Sequence, residues 1–350
     1  MTAARKNLTS SGKTAAGPTV GAGYARALMD FAVSKGANKA RLIKRSQISI
    51  NDLQDADNRV PLRKYIALMR ACIDLSGDRA LALHYGEIGN LPEYSIVALI
   101  TDASKTMGHA LVQLNRYGRL VIEVDVGSQD RFQISPENGQ TWIVDTRKDP
   151  NSFPELTEST FARMVCHTRQ FGTDAKPFVK ALEVTHAKPA YHAEYDRIFR
   201  APVTFNSARN ALLIDPSWAS HKVSRTSRYA FGVLSKHAKA LLKSLEDAKT
   251  VRGQVEGLLI PILHLGNPSI ERTAEKMGLG RDTLYRKLKT EGVSYEKLLD
   301  ELRHKMALHY LDGKKVSVNE TAYLVGFSDP SAFSRAFRRW TGTSPRKRKI

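Results

Sequence analysis

The sequence predicts a multidomain α+β chain: an N-terminal helical subdomain plus a mixed α/β-sheet unit, then a C-terminal all-α region with two helix-turn-helix units. Three observations carry this. At 350 residues the chain exceeds one ordinary domain and favours two. Its hydrophobic period changes from helical to alternating after Leu120 and returns to helical beyond Arg228. A segment also repeats: Thr273–Gly292 and Thr321–Gly342 align at Ala274/Ala322 and Gly278/Gly326 and, past one inserted residue, at Arg286/Arg335 and Leu288/Phe337.

The first twenty residues are small, polar and free of acids, with neither the apolar run of a secretory signal nor a clear amphipathic period, so residues 1–20 are expected to be a disordered tail. Gly21-Ala-Gly23 lacks the third glycine and the preceding strand of a dinucleotide-binding turn and reads as a linker. From Tyr24 to Arg119 the pattern is helical, clearest over Leu62–Leu75 and Ala110–Leu120. Strands are expected at Leu120–Val126, Arg131–Ile134 and Thr141–Asp145, bounded by turns at Gly127–Asp130 and Pro136–Gly139. A helix at Phe153–Phe171, a strand at Ala181–His186, a helix at Ala190–Phe199 and strands at Val203–Phe205 and Ala211–Ile214 complete a β-β-β-α-β-α-β-β unit. Asp215–Arg228 reads as a linker and Phe231–Lys249 as a connecting helix. The expected division is therefore 1–20 tail, 21–215 first domain, 216–250 linker and connecting helix, and 251–350 second domain.

Each copy of the repeat is a short helix, a glycine-centred turn and a second helix, the pattern of a helix-turn-helix. Ser317-x-x-Glu320 is a capping box, and Ser328-Asp329-Pro330 sets up the start of the last long helix. Between the copies, Leu298, Leu299, Leu302, Met306, Leu308 and Leu311 give Ser294–Leu311 an apolar face. Eighteen helical residues span about 27 Å. A strut of that length sets two recognition helices near one DNA turn apart, about 34 Å, within reach of successive major grooves; bending of the DNA takes up the difference.

Charge names the partner class. Lys+Arg 54 against Asp+Glu 35 leaves a net charge of +19, which favours a polyanion, nucleic acid before an anionic membrane. The apolar runs Ile96–Ile100 and Leu258–Leu263 are far shorter than the roughly 18–20 residues of a membrane span, so no membrane partner is expected. In the first recognition helix Leu284 and Leu288 point inward, leaving Arg281, Asp282, Tyr285, Arg286 and Lys289 outside. In the second, Phe333, Phe337 and Trp340 go inward, leaving Ser331, Ala332, Arg335, Arg338 and Arg339 outside. Arginine matches guanine O6 and N7, so Arg286 and Arg335 lead a base-reading set of Arg281, Asp282, Tyr285, Arg286, Ser331, Ala332 and Arg335. Lys289, Ser334, Arg338 and Arg339 are assigned to phosphates. Asp282 fits two roles, acceptor for a cytosine amino group or favourable charge at a helix N-terminus. Tyr285 likewise fits a thymine-methyl contact or packing on the strut. Arg346–Lys349 is read equally as an unstructured basic tail.

These residues resemble the AraC/XylS family of bacterial transcription regulators over about Leu258–Pro345, above all in Ala322-Tyr-Leu-Val-Gly-Phe-Ser-Asp-Pro-Ser-Ala-Phe-Ser-Arg-Ala-Phe-Arg-Arg-Trp-Thr-Gly-Thr-Ser-Pro345. The resemblance implies a seven-helix domain with two DNA-reading units, acting beside RNA polymerase at double-stranded promoter DNA and usually activating. Gly280 stands where the family commonly has a capping serine. Upstream, Val60-Pro-Leu, Ser76-Gly-Asp-Arg-Ala-Leu-Ala-Leu, Phe199-Arg-Ala-Pro-Val-Thr-Phe and Asn210-Ala-Leu resemble the arabinose-binding-type effector domain of the ornithine-utilisation branch. That resemblance implies a small-molecule effector of unknown identity and a possible homodimer.

No chemistry-bearing constellation competes with this reading. Cys72 and Cys166 are the only cysteines, too few for a disulfide framework or a cysteine-rich zinc site, and suit a reducing, cytoplasmic setting. His304 and His309 lack the i, i+4 spacing of a helical metal pair, His186 and His192 have no third ligand nearby, and there is no P-loop or nucleophile elbow. No catalytic residue, metal or cofactor is assigned. Two other readings stand beside the favoured one: a non-specific architectural DNA binder, distinguished by its ratio of specific to competitor affinity, and a metabolite-processing enzyme with accessory DNA binding, against which the missing acid–base or metal constellation weighs.

Overall fold

The computed structural model describes residues 17–88, 94–127, 130–170, 178–223, 228–312 and 316–348. Contacts divide them into two units, Gly17–Leu242 and the residues from Lys243 onward.

In the first unit β1 (Thr19–Gly21) pairs antiparallel with β2 (Arg59–Pro61), placing Val20 opposite Val60. Helices α1 (Ala22–Ser34) and α2 (Lys39–Ser46) lie between these strands in sequence; α3 (Leu62–Ser76), α4 (Leu81–Glu87), α5 (Ile96–Asp102) and α6 (Met107–Val121) follow. Leu28 and Met29 of α1, Leu68 and Met69 of α3 and Tyr85 of α4 share one core. The rings of Tyr65 and Tyr85 each lie 5.6 Å from that of Tyr24.

The larger sheet is built from β3 (Phe132–Glu137), β4 (Gln140–Asp145), β5 (Val179–Glu183), β6 (Val203–Thr204) and β7 (Asn210–Ile214), in spatial order β3-β4-β7-β5-β6. All neighbours are antiparallel except β5 and β6. Asn138 and Gly139, at φ 50° and 75°, make the two-residue turn between β3 and β4; two left-handed positions match the twist of the flanking strands. Pro136, which has no amide proton to give a ladder, sits on edge strand β3. Helices α7 (Pro154–Arg169) and α8 (Ala193–Phe199) bury Phe161, Val165, Ile198 and Phe199 with Ile143, Leu182 and Leu212 of the sheet.

Several expectations need correction. Residues 1–16 lie outside the described set, but Thr19 and Val20, expected in the tail, form a buried strand. Arg59 donates to the Thr19 carbonyl at 3.0 Å, and the Thr19 amide and hydroxyl donate to Glu123 at 3.1 and 2.7 Å. Gly21–Gly23 is thus a strand-to-helix junction and not a linker. A Cβ on Gly23 would fall inside van der Waals contact with the Tyr94 carbonyl. Leu120 and Val121 close α6, and Ile122 makes a single bridge to Val20, so the expected strand at 120–126 is absent. Its backbone is met at isolated points, by Thr19 at Glu123 and by Lys148 at Asp125, which makes no ladder, and the sheet has one strand fewer before α7 than expected. The strand expected at 181–186 runs two to three residues earlier, and α8 starts three residues later than the sequence suggested.

Asp215–Arg228 is not a linker either. Asp215 caps a 3-10 turn over Pro216–Ser220, Trp218 is buried and stacks on Phe178 at 6.0 Å, and Val223 is buried too. One aromatic and one valine among polar residues give no periodic signal, so their tertiary burial was invisible in the sequence. Helix α9 (Arg228–Asp247) follows, and within this unit Ala238 is buried against Val97, Ile100 and Tyr117 of α5 and α6.

The second unit is all helical among its described residues: α10 (Val251–Leu259), a 3-10 turn at Ile260–Leu265, α11 (Ile270–Lys276), α12 (Arg281–Thr290), α13 (Tyr295–Asp312), α14 (Val318–Leu324), α15 (Pro330–Thr341) and a single turn α16 (Pro345–Arg348). Leu298, Leu302 and Leu311 of α13 share a core with Leu284 and Leu288 of α12 and Phe333 and Phe337 of α15. The strut is therefore a central post on which both helix pairs rest. Of the apolar face expected on it, Met306 and Leu308 are only partly buried.

Candidate nucleic-acid interface

The two helix pairs, α11/α12 and α14/α15, repeat at the level of individual hydrogen bonds. Ser269 and Ser317 cap the first helix of each pair, accepting from the amides of Arg272 and Glu320. Buried Thr273 and Thr321 turn their hydroxyls back to the carbonyls of those same serines, at 3.0 and 2.8 Å. Ala274 and Ala322 are buried where the helices cross, and each carbonyl accepts the amide five residues on, from Leu279 and Phe327, at 2.9 Å. Gly278 and Gly326 hold φ of 68° and 83°, which lets the chain reverse within the turn. The expected capping box at Ser317 and Glu320 is complete in both directions.

The second helices begin differently. Asp329 caps α15 by accepting from the amides of Ser331 and Ala332, both at 3.0 Å, and Pro330 occupies the first helical position. Those two amides hold the Asp329 carboxyl below its ordinary value of 3.8. Gly280 precedes α12 with no side chain to cap it, and Asp282 supplies only a carboxylate in the first turn.

On α12, Leu284 and Leu288 are buried while Arg281, Asp282, Tyr285, Arg286 and Lys289 are exposed. On α15, Phe333 and Phe337 are buried and Trp340 is partly so; Ser331, Arg335, Arg338 and Arg339 are exposed, and Ala332 and Ser334 are half-buried. The cations fall into two groups. Arg281 is held by Glu271 of α11 at 2.8 Å and lies 3.5 Å from Asp282. Arg339 is held by Asp300 of α13 at 2.9 Å, and the same carboxylate accepts from the Trp340 indole. Arg286, Lys289, Arg335 and Arg338 make no side-chain hydrogen bond or ion pair with a described residue, leaving their donors available. Tyr285 is 49% exposed, which favours its contact role over packing on the strut.

Sequence reasoning missed the ties that orient the first pair. The carboxylate of Glu291, just past α12, accepts from the amides of both Val251 and Arg252 at 2.8 Å and so closes the N-terminus of α10. Arg252 reaches Glu256 and Glu301 at 2.9 and 2.7 Å, pinning α10 to α13. Tyr295, at the start of α13, joins Thr273 at 2.8 Å. A solitary glutamate after a lysine-rich helix reads as surface charge, and only its distant partner reveals its role.

Sequence alone placed no effector pocket; the first unit contains a cavity of about 310 Å³, which opens between α5, α6 and α7, with walls that include Val97, Leu111, Leu114, Phe132, Met164 and Arg163. No described helix is long and apolar enough to cross a membrane.

Comparison with known proteins adds to this geometry. Residues 36–223 match the model of the arabinose-binding domain of AraC transcription regulator, and residues 273–349 match a helix-turn-helix domain model. The ornithine utilization regulator of Pseudomonas aeruginosa is 23% identical over 328 residues, 92% of this chain and 94% of that one. VqsM, an HTH-type transcriptional regulator of the same organism, is 34% identical over 280 residues, 75% of this chain and 81% of its own. Among solved structures, the transcriptional regulator CdpR from Pseudomonas aeruginosa aligns over 93% of this chain and 96% of its own, at 20% identity and a TM-score of 0.38.

Proposed function

The chain belongs to the AraC family of DNA-binding transcription regulators, with an arabinose-binding-type effector domain, and we propose that it places α12 and α15 in successive major grooves of promoter DNA and responds there to a small molecule. One observation carries the DNA geometry: two copies of the same hydrogen-bonded turn, fixed to one 18-residue post, each presenting unpaired cations outward. In this reading Arg286 and Arg335 read base edges, with Tyr285, Asp282, Ser331 and Ala332 beside them, while Lys289, Ser334 and Arg338 hold phosphates. Arg281 and Arg339, assigned to a base and a phosphate, reach DNA by leaving Glu271 and Asp300; their first task is to orient the helices.

The remaining assignments follow from the family resemblance and the repeat. Residues 19–223 sense the effector and support a homodimer, the C-terminal turns of α9 connect, and 251–350 bind DNA. RNA polymerase beside the promoter is the protein partner, the cytoplasm is the setting, and activation is the expected output. The chain works by binding and not by turnover, in keeping with relatives that are named as regulators.

A salt titration on operator DNA tests the reading. Each neutralised phosphate contributes about −0.9 to the slope of log affinity against log salt, so a slope worth several phosphates is expected. A flat dependence between low and physiological salt removes the DNA-binding interface.

A further inference from the structure

The cavity of the first unit carries more than its position. Its walls are apolar on three sides: Val97 from α5, Leu111 and Leu114 from α6, Val124 from the extended segment after it, Phe132 from β3 and Met164 from α7. The neutral polar groups that reach it are engaged by the protein itself. Asn115 donates to the Phe132 carbonyl at 2.8 Å and accepts from its amide at 3.0 Å. Thr168 donates to the Met164 carbonyl at 2.7 Å and Thr101 to the Ala98 carbonyl at 2.8 Å. A polyol, which needs a partner for every hydroxyl, would find few here.

Of the basic side chains in the wall, Arg119, Arg131 and His167 each face a carboxylate and one does not; the Asp130 carboxylate, also in the wall, is exposed to solvent. Arg163 of α7 donates from its two terminal nitrogens to the carbonyls of Ile88 and Tyr85, at 3.1 and 2.8 Å, and both acceptors are neutral. Its Nε is buried and has no hydrogen-bond acceptor. The guanidinium lies 4.9 Å from the Tyr85 ring centre, and no described carboxylate pairs with it. Arg131 in the same wall shows the contrast: Asp145 holds it at 3.0 Å. A partly buried cation without an anion in an apolar chamber is unfavourable by itself, and a bound carboxylate would reverse that.

We propose that this cavity binds an amphipathic organic acid, a single carboxylate on an apolar body of about a dozen non-hydrogen atoms, with the carboxylate on Arg163 and the body between α5, α6 and α7. The volume corresponds to about ten water molecules' share of liquid, which suits a body of that size. The inference rests on the reading of this unit as an effector domain, and it names the chemistry of the effector.

The test uses the full chain, calorimetric titration, and four probes below their aggregation concentrations: decanoate, decanol, arabinose and ornithine. Decanoate is expected to bind at least about tenfold more tightly than decanol, because only the acid gives the buried cation a charge-assisted partner. Arg163→Gln should reduce decanoate to the level of decanol while leaving decanol unchanged, and Arg163→Lys should keep part of the preference. Ala98→Phe, which puts a ring into the chamber, should weaken both. Equal binding of acid and alcohol to the unaltered chain, or tighter binding of arabinose or ornithine, overturns the proposal; this holds even if Arg163→Gln does not fold. Operator retention with each probe separates the two levels. If decanoate binds as expected and operator affinity is unmoved, the site stands and the effector role falls. If arabinose or ornithine moves operator affinity and decanoate does not bind, the effector role stands and the assigned chemistry falls.

Discussion

Arg286 and Arg335 occupy equivalent turns of two equivalent helices, and neither is held by a carboxylate of a described residue. Replacing either by alanine should cost about 1–3 kcal/mol on the cognate site and relax preference at one base position, whereas Lys289→Ala should weaken all sequences alike. Affinity measured across a panel of single-base operator variants separates these outcomes; uniform loss from both arginine variants would move them to the phosphates. The turn glycines differ more than their common place in the repeat suggests. A Cβ on Gly278 meets nothing within 4 Å, so Gly278→Ala should cost only the left-handed backbone, about 1–2 kcal/mol. A Cβ on Gly326 would collide with the carbonyl of Leu263, so Gly326→Ala should lower the melting temperature much further. In the first unit, burial pushes the Glu158 carboxyl up to about 7 against hydrogen bonds from Tyr195 and Tyr191. The folded chain then keeps a proton that the unfolded chain releases near 4.5, so this contribution is complete below that pH and is lost as pH rises through 7. Glu158→Gln should flatten the pH dependence of melting over that window.

Elements were legible in the sequence where their signal was local. The paired turns could be read because serine caps, small crossing residues and glycines recur at fixed offsets, and α13 because apolar residues recur along it, of which Leu298, Leu299, Leu302 and Leu311 are buried. The strand β1 could not: three residues give no period, and its partner lies about forty residues on, secured by Arg59 and by Glu123. The apolar alternation after α6 misled for the opposite reason, since a buried extended segment shows the same pattern as a strand with or without a ladder beside it. Gly118, in the last turns of α6, has open space where a methyl would go. Gly118→Ala should therefore stabilise the first unit by about 0.5–1 kcal/mol, measurable by chemical denaturation. The cavity was illegible altogether, because α5, α6 and α7 contribute its walls from segments scattered through the sequence and only their packing defines the space.

At the scale of the molecule, each unit has its own core, and the contacts divide inside α9 and not in a loop. A fragment from Ala248 keeps Thr250, whose hydroxyl caps α10 at 2.9 Å, and should fold alone and select the same operator as the full chain. It should bind more weakly if the first unit dimerises, since tethering raises effective concentration, and should lose any response to effector. Circular dichroism and operator retention of fragment and full chain, side by side, check this. A fragment that still responds to a small molecule would move sensing into the helical unit. The expected linker at 215–228 would have put the boundary too early, because Trp218 and Val223 belong to the sheet core of the first unit.

The unequal starts of α12 and α15 bear on timing. A proline and a doubly accepting aspartate leave α15 little to rearrange before it meets a groove, and Phe333 and Phe337 anchor it from beneath. The opening turn of α12 closes on a bare glycine, and only two leucines of that helix are buried. In the free protein the amides at the start of α12 should exchange with solvent faster than those at the start of α15, and should gain more protection on DNA. A chain built this way need not commit both readers at once. On the proposed interface such a difference would let α15 engage first, the opening turn of α12 becoming ordered only where the bases repay it.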